Sequence, residues 1–220
     1  MLALSFTASN VNCKLHKESS MKLPEPRTEG RFSLEKAIND RRTVRSFTSQ
    51  PIALEQFSQL LWAAQGVTGG RGLKRTAPSA GALYPMDIYA VVGTNGIEGL
   101  KAGVYHYEPT DHAVSFVTEG DRRNALATAA LSQMWMAKPP LNIVLAAEYD
   151  RITLKYGKRG VRYAMIEAGH IGQNIFLQAE ALGLGAGIVG AFDDEDVIRV
   201  LKIPRSHEPL LIMPLGHKRR

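Results

Sequence analysis

The sequence predicts an α+β protein with one main domain over residues 31–220, and three observations carry that reading. Helix and strand patterns are mixed along the chain without regular β-α-β alternation. Two strand-like runs, residues 103–107 and 113–117, flank Pro109-Thr110-Asp111 and read as a hairpin. A long helical pattern over residues 161–182 then supplies one broad apolar face.

Each element follows from local signals. Ser33 is a good N-cap for a short helix through about Asp40, with Glu35 in its first turn. After Pro51, the spacing of Leu54, Phe57, Leu60, Leu61 and Ala64 predicts an amphipathic helix over about 53–65, ended by Gly66. Residues 66–82 are rich in glycine and basic residues and read as a long functional loop. Strands are expected over 87–92, 103–107 and 113–117, then a helix over about 121–133. The apolar run 141–147 is a buried strand, because Pro139-Pro140 forbids a helix there. In the long helix Val161, Met165, Ala168, Ile171, Ile175, Ala179 and Leu182 share one face. On the same helix Ala164, Ala168 and Gly172 make a small-residue strip, read as the seat of an obligate dimer. Asp193 caps a short helix through Leu201, and residues 210–215 form a closing strand.

Bulk composition narrows the function classes. Hydrophobic content of 45% and charged content of 22% suit a soluble globular protein. The one cysteine, Cys13, rules out an intrachain disulfide and any multi-cysteine metal site. His106, His112, His170, His207 and His217 are scattered without metal-ligand spacing, so no metal is expected. No stretch approaches the ~20 apolar residues of a membrane span. Residues 1–30 read as a flexible N-terminal arm without a targeting signal, and the expected location is the cytoplasm. The net charge of +6 raises nucleic acid as a partner. Its basic residues fall in short clusters, however, and aromatics are only 7% and not interleaved with them. A phosphorylated small ligand explains such clusters at least as well.

Two motifs fail on context. Gly185-Ala186-Gly187-Ile188-Val189-Gly190 fits the dinucleotide fingerprint, but a long helix precedes it where a strand is required. Ala77-Pro78-Ser79-Ala80-Gly81 mimics a nucleophile elbow but lacks the preceding strand and following helix.

Three separated segments converge instead. Arg41, Arg42, Thr43 and Arg45 put guanidinium forks and a hydroxyl where a phosphate dianion can meet them, although cations after a helix also offset its dipole. Pro78, Ser79, Ala80 and Gly81 offer backbone amides and a hydroxyl, and Gly187, Ile188 and Val189 let main chain lie against a planar ring. Flavin mononucleotide (FMN) has those needs.

The same segments carry a resemblance. Arg41-Arg42-Thr43-Val44-Arg45-Ser46-Phe47, Leu60-Leu61-Trp62-Ala63-Ala64-Gln65-Gly66-Val67-Thr68, and Arg75-Thr76-Ala77-Pro78-Ser79-Ala80-Gly81-Ala82-Leu83-Tyr84-Pro85 stand in order. Gly103-Val104-Tyr105-His106-Tyr107, Arg162-Tyr163, Glu167-Ala168-Gly169-His170, Gln173-Asn174 and Gly183-Leu184-Gly185 follow. Over about residues 31–217 the chain resembles the nitroreductase-like FMN flavoproteins, in particular the SagB/ThcOx dehydrogenase branch. The resemblance implies a mainly antiparallel central sheet flanked by helices and an intertwined homodimer with FMN at the subunit interface. It implies that Arg41, Arg42, Thr43 and Arg45 hold phosphate and ribityl chain, and that Pro78, Ser79, Ala80 and Gly81 approach the flavin from the second subunit. Gly187, Ile188 and Val189 would face the ring, and Lys218 or Arg219 would add a late phosphate cation. NADH or NADPH is the implied electron donor, and a small organic molecule the substrate. Ala82 and Tyr84 stand where many nitroreductases carry asparagine and glutamine, which puts nitro-compound reduction in doubt as the natural reaction.

Lys155-Tyr156 has two readings. By residue type it is a surface pair beside Lys158 and Arg159. By resemblance it matches the pair essential in azoline dehydrogenases, where a base removes a proton as hydride leaves for the flavin. That second reading implies a peptide substrate carrying thiazoline or oxazoline rings.

Overall fold

The computed structural model describes residues 20–219. In chain order the strands are β1 (Ser20–Lys22), β2 (Val67–Gly69), β3 (Lys74–Arg75), β4 (Met86–Val92), β5 (Gly103–Glu108), β6 (Ala113–Glu119), β7 (Leu141–Glu148), β8 (Gly185–Ala186) and β9 (His207–Gly216). The helices are α1 (Leu34–Asp40), α2 (Leu54–Gln65), α3 (Arg123–Ala129), α4 (Asp150–Tyr156), α5 (Arg159–Ala181) and α6 (Asp194–Leu201). Seven strands form one sheet in the order β1-β6-β5-β4-β7-β9-β8, with every neighbouring pair antiparallel. The predicted α+β class and antiparallel sheet hold.

Period-two alternation places the core on both faces of this sheet. From β4 and β7, Met86, Ile88, Ala90, Leu141, Ile143 and Leu145 join α2 and α5 on one side. Tyr89, Val91, Val144 and Ala146 join α3 and α6 on the other. A strand covered on both faces has no polar side, which is why 141–147 reads as an apolar run broken only by Asn142, whose buried amide donates to Met136 O at 3.1 Å. Fully burying side chains of this size contributes roughly 1.5–3 kcal/mol each.

The helix starts follow the predicted caps. Ser33 Oγ accepts from Lys36 N, and Asp193 accepts from Asp196 N at 2.8 Å. At α2 the Gln56 side chain accepts from Ala53 N at 3.1 Å and satisfies an otherwise unpaired donor.

Five expectations need correction. Residues 20–30, assigned to the arm, pack on the domain: β1 pairs with β6, Leu23 is buried, and Ser58 Oγ donates to Pro24 O at 2.5 Å. The rest of that expected arm, Cys13 included, lies outside the described residues. The expected open loop 66–82 is a β2–β3 hairpin followed by a 3-10 turn, closed where Thr76 N donates to Gly66 O at 2.9 Å. The helix expected over 121–133 ends at Ala129, because Leu131 and Ser132 take left-handed φ values of 53° and 59°. Finally, the strip of Ala164, Ala168 and Gly172 is buried inside the chain, with Gly172 facing Leu211 and Met213 of β9. It seats α5 on its own sheet and is not a contact for a second copy. Met165, placed on the buried face, is 53% exposed instead.

Helix α4 had no counterpart in the sequence reading. Among its side chains only Ile152 is buried, so it lacks an apolar stripe. Charge holds it instead. Arg151 pairs with Asp87 at 2.9 Å and Glu148 at 2.5 Å. Burial alone would raise the Asp87 carboxyl, but His106 and Arg151 outweigh it and keep the group below the ordinary carboxylate range. The ligand-capable atoms of Asp87, Glu148 and His207 lie within 4.8 Å of one another, and Arg151 is the cation that serves the two carboxylates. Among the described residues no helix is long and apolar enough to cross a membrane.

Candidate functional site

The basic segment 41–47 runs beside β8 and the last described residues. Thr43 bridges Ala186 in parallel, and Val44 N donates to Ala186 O at 2.8 Å. Phe47 bridges Lys218, and Arg219 N donates to Ser46 O at 3.1 Å. A side chain at Gly185 would meet Val44 and Lys218 at 3.0 Å, so glycine is what lets these three segments close together. The structure therefore brings Arg41, Arg42, Thr43, Arg45, Gly187, Ile188, Val189, Lys218 and Arg219 into one region.

The cations there are not equivalent. Among the described residues, Arg41, Arg42 and Arg45 make no ion pair. Arg41 lies over the Phe176 ring at 5.2 Å, and Arg45 lies over Trp135 at 5.8 Å. Arg42 spends donors on Asn39 O and Arg41 O, capping the end of α1. Lys218 Nζ holds both Glu180 oxygens at 2.7 Å, so its charge is already matched. An unmatched guanidinium is the donor set a phosphate oxygen requires, and Arg41 and Arg45 retain it.

The glycine-rich turn does not make a dinucleotide fold, since α5 and not a strand leads into it and β8 lies within the glycines themselves. Gly187 N donates to Pro214 O, and Val189 N to Ile212 O, both at 2.8 Å. Alternation along the strand then directs the Ile188 backbone away from β9. A side chain at Gly187 would strike Trp135 and Val44 O at 2.8 Å. Glycine there serves the chain's own packing, and the indole of Trp135 fills the space.

The second set lies elsewhere. In the 78–84 loop Gly81, Ala82 and Tyr84 all take left-handed φ values, 64°, 54° and 48°. For the two non-glycines each such conformation costs on the order of 1–3 kcal/mol. Side-chain bonds hold it. Tyr84 N donates to Ser79 Oγ at 2.9 Å, Tyr84 Oη donates to Leu73 O at 2.8 Å, and Arg75 stacks 4.2 Å over the Tyr84 ring. A side chain at Gly81 would meet Tyr156 Oη at 2.7 Å and Lys155 Nζ at 3.1 Å. Pro78, Ser79, Ala80 and Gly81 are thus brought together with Lys155 and Tyr156.

Helix α5 keeps the two sets apart. Its start follows Tyr156 directly, whereas Phe176, under Arg41, and Glu180, holding Lys218, lie near its end. At 1.5 Å per residue, Arg159 and Phe176 are roughly 25 Å apart along the axis. One chain does not assemble all the predicted residues in one place.

Sequence reasoning missed Trp135 and Glu167. Trp135 carries no local signal, since a lone tryptophan between Met134 and Met136 says nothing about what it covers. Glu167 had one: it falls among Ala164, Ala168 and Ile171, on the buried face of α5. It is 1% exposed and accepts from Gln65 Nε2 at 2.8 Å.

The model of the Nitroreductase family matches residues 38–217, most of the chain. The chain belongs to the nitroreductase family. A nitroreductase-type relative from Methanocaldococcus jannaschii is 44% identical over 187 residues, 85% of this chain and 92% of that one. This nitroreductase-family chain is 28% identical to the Microcin B17-processing protein McbC of Escherichia coli over 148 residues, 66% of this chain and 54% of McbC. It is 24% identical to an FMN reductase [NAD(P)H] of Bacillus subtilis over 83% of this chain and 64% of that one. A nitroreductase crystal structure from Ralstonia eutropha superposes with a TM-score of 0.77 at 28% identity, covering 93% of this chain and 92% of that one. Family membership makes the protein an oxidoreductase, and the shared fold accounts for the antiparallel sheet with flanking helices.

Proposed function

We propose that this nitroreductase-family protein is an FMN-dependent dehydrogenase of the SagB type that acts on a small organic substrate in the cytoplasm. The observation that carries the reading is the pair of guanidinium groups of Arg41 and Arg45, free of carboxylates and stitched by Thr43 and Val44 to the turn at 185–189. Arg41, Arg45 and the Thr43 hydroxyl would hold the phosphate, and the outward backbone of Ile188 would read the ring edge. Lys218 and Arg219 are the weaker part of the set, since Glu180 already holds Lys218. When bound, FMN supplies a site that accepts or gives up a hydride. NADH or NADPH is the proposed donor, in keeping with the FMN reductase relative.

A second copy completes the site in this reading. Pro78, Ser79, Ala80 and Gly81, with Lys155 and Tyr156, would come from the partner and meet the basic segment of the first chain. The separation along α5 supports a homodimer, as do the exposed apolar side chains Leu34, Ile38, Leu154, Met165 and Ile166.

A narrower reading is azoline oxidation on a peptide. The contact of Lys155 and Tyr156 with the Gly81 position favours it, and the relative McbC is a Microcin B17-processing protein. In that case Lys155 or Tyr156 would take the proton from the carbon beside the one whose hydride the bound FMN would accept. Ring aromatisation follows from the loss of both.

The purified protein should be yellow, with a flavin absorption spectrum, and heat should release FMN identifiable by mass. Light scattering should give twice the chain mass. A colourless protein that also refuses added FMN overturns the cofactor reading, and a monomer that retains FMN overturns the shared site.

A further inference from the structure

The turn between β5 and β6 carries the half-buried His112 into a crevice shared with α2 and the N-terminal segment. Its Nδ1 lies 2.8 Å from Tyr107 Oη, and its Nε2 lies 2.8 Å from Ser58 Oγ and 3.0 Å from Pro24 O. The protons have one arrangement that leaves nothing unmet. Tyr107 is 1% exposed and its phenol hydrogen-bonds only Nδ1 among the described residues, so the phenol donates there and Nδ1 is bare. Nε2 then carries the ring proton and donates to Pro24 O, which also accepts from Ser58 Oγ at 2.5 Å. The opposite tautomer, or a charged ring with both protons, points a second donor at the phenol and leaves the buried O–H with no acceptor.

His112 holds the N-terminal segment through both its backbone and its ring. Its carbonyl accepts from Leu23 N at 2.9 Å, and its ring donates to Pro24 O. A few residues on, the Gln59 side chain accepts from Arg27 N at 2.9 Å and donates to Arg27 O at 3.0 Å. Residues 27–32 thereby form one wall of a cavity of about 770 Å³, faced by Gln59, Trp62, Gln178 and Leu182. We propose that residues 20–32 are a strap clasped by the neutral His112 ring, and that acid releases the strap and removes this wall of the cavity. A proton on Nδ1 sets two donors against each other at Tyr107. The ring then turns out to water, and Pro24 O loses its N–H partner.

Few charges surround the ring. From β1 comes Lys22, and from the strap Glu25, which pairs with Lys22 at 3.5 Å. Helix α2 contributes Ser58 and β5 contributes Tyr107, both uncharged. Burial holds the ring below the ordinary histidine value of 6.5, Pro24 O and Glu25 pull it up, and Lys22 pushes it down again. A ring freed into water takes its proton at higher pH than the clasped one. The clasp is therefore at full strength above about pH 6.5 and weakens as pH falls below it.

The test is NMR on the whole chain, without added flavin. At neutral pH the His112 ring nitrogens should report a proton on Nε2 and none on Nδ1, and the reverse overturns the clasp. Amide hydrogen exchange is then compared as protection factors from about pH 8 to about pH 5. Protection at Leu23 and Arg27 should fall roughly ten- to hundredfold as His112 titrates, the effect of one stranded buried donor, while the central strand β4 stays protected. Equal protection at both ends of the range, or an equal loss in β4, overturns the proposal. In Tyr107→Phe the ring should take its proton at higher pH and the acid-driven loss should shrink; an unchanged loss is the contrary result. Should that variant not fold, His112→Asn replaces it, since asparagine accepts the left-handed φ of 46° found there. Its protection should be flat with pH, and a loss equal to the parent's overturns the clasp. Because none of these readouts needs flavin, failure to bind FMN counts against the proposed function alone.

Discussion

Replacing Lys155 by alanine should lower turnover by roughly 10²–10⁴-fold, the usual worth of a positioned acid or base, with FMN still bound. The expectation follows from position. Lys155 is in the last turn of α4, its Nζ is 3.1 Å from where a side chain on Gly81 would begin, and it lies 5.4 Å from the Tyr156 ring centroid. Tyr156 in turn meets Tyr163 edge-on at 5.2 Å, which fixes the phenol. Neither side chain contacts the 41–45 segment, so removing the amine leaves the phosphate donors untouched. The check is single-turnover kinetics beside cofactor occupancy for Lys155→Ala. Equal rates in variant and parent would remove Lys155 from the mechanism, and loss of FMN would make it a binding residue instead.

Arg45→Ala should weaken FMN binding roughly ten- to hundredfold, since a hydrogen bond to a charged partner is worth about 1.5–3 kcal/mol. The residue is exposed, makes no ion pair among the described residues, and stacks on Trp135, so its loss should leave the fold intact. Equilibrium dialysis of FMN against parent and variant measures the effect directly. The effect should shrink as salt rises, because exposed charges are screened. Unchanged affinity would assign the phosphate to Arg41 or to other donors. Lys218→Ala is the informative comparison, since Glu180 already holds that amine and a smaller loss is expected.

Much of the fold was written in local patterns. Phe57, Leu60, Leu61 and Ala64 mark one side of α2, and the two prolines before Leu141 settle a strand over a helix. Both are properties of a short stretch of chain. The strip on α5 shows the limit: spacing reveals that Ala164, Ala168 and Gly172 share a face, and nothing in spacing says that β9 covers it. Helix α4 escaped for a related reason. It is anchored by Arg151, locally to Glu148 and across the chain to Asp87, and an ion pair to a residue so far away in sequence leaves no periodic trace. Within the candidate site, the composition of the 41–47 and 78–85 segments was legible. Their separation by the length of α5 was not, because distance along a helix becomes meaningful only once both ends have neighbours.

The packing of Trp135 has a practical consequence. The chain has two tryptophans, and Trp62 lies on α2. Trp135 stands over Arg45 and fills the space at Gly187, so its indole emission is a built-in optical probe of that region. With Trp62 replaced by phenylalanine, the remaining fluorescence would come from a single reporter beside the basic segment. Ligand arrival there could then be timed by stopped flow, without labelling the protein and without waiting for a chemical step.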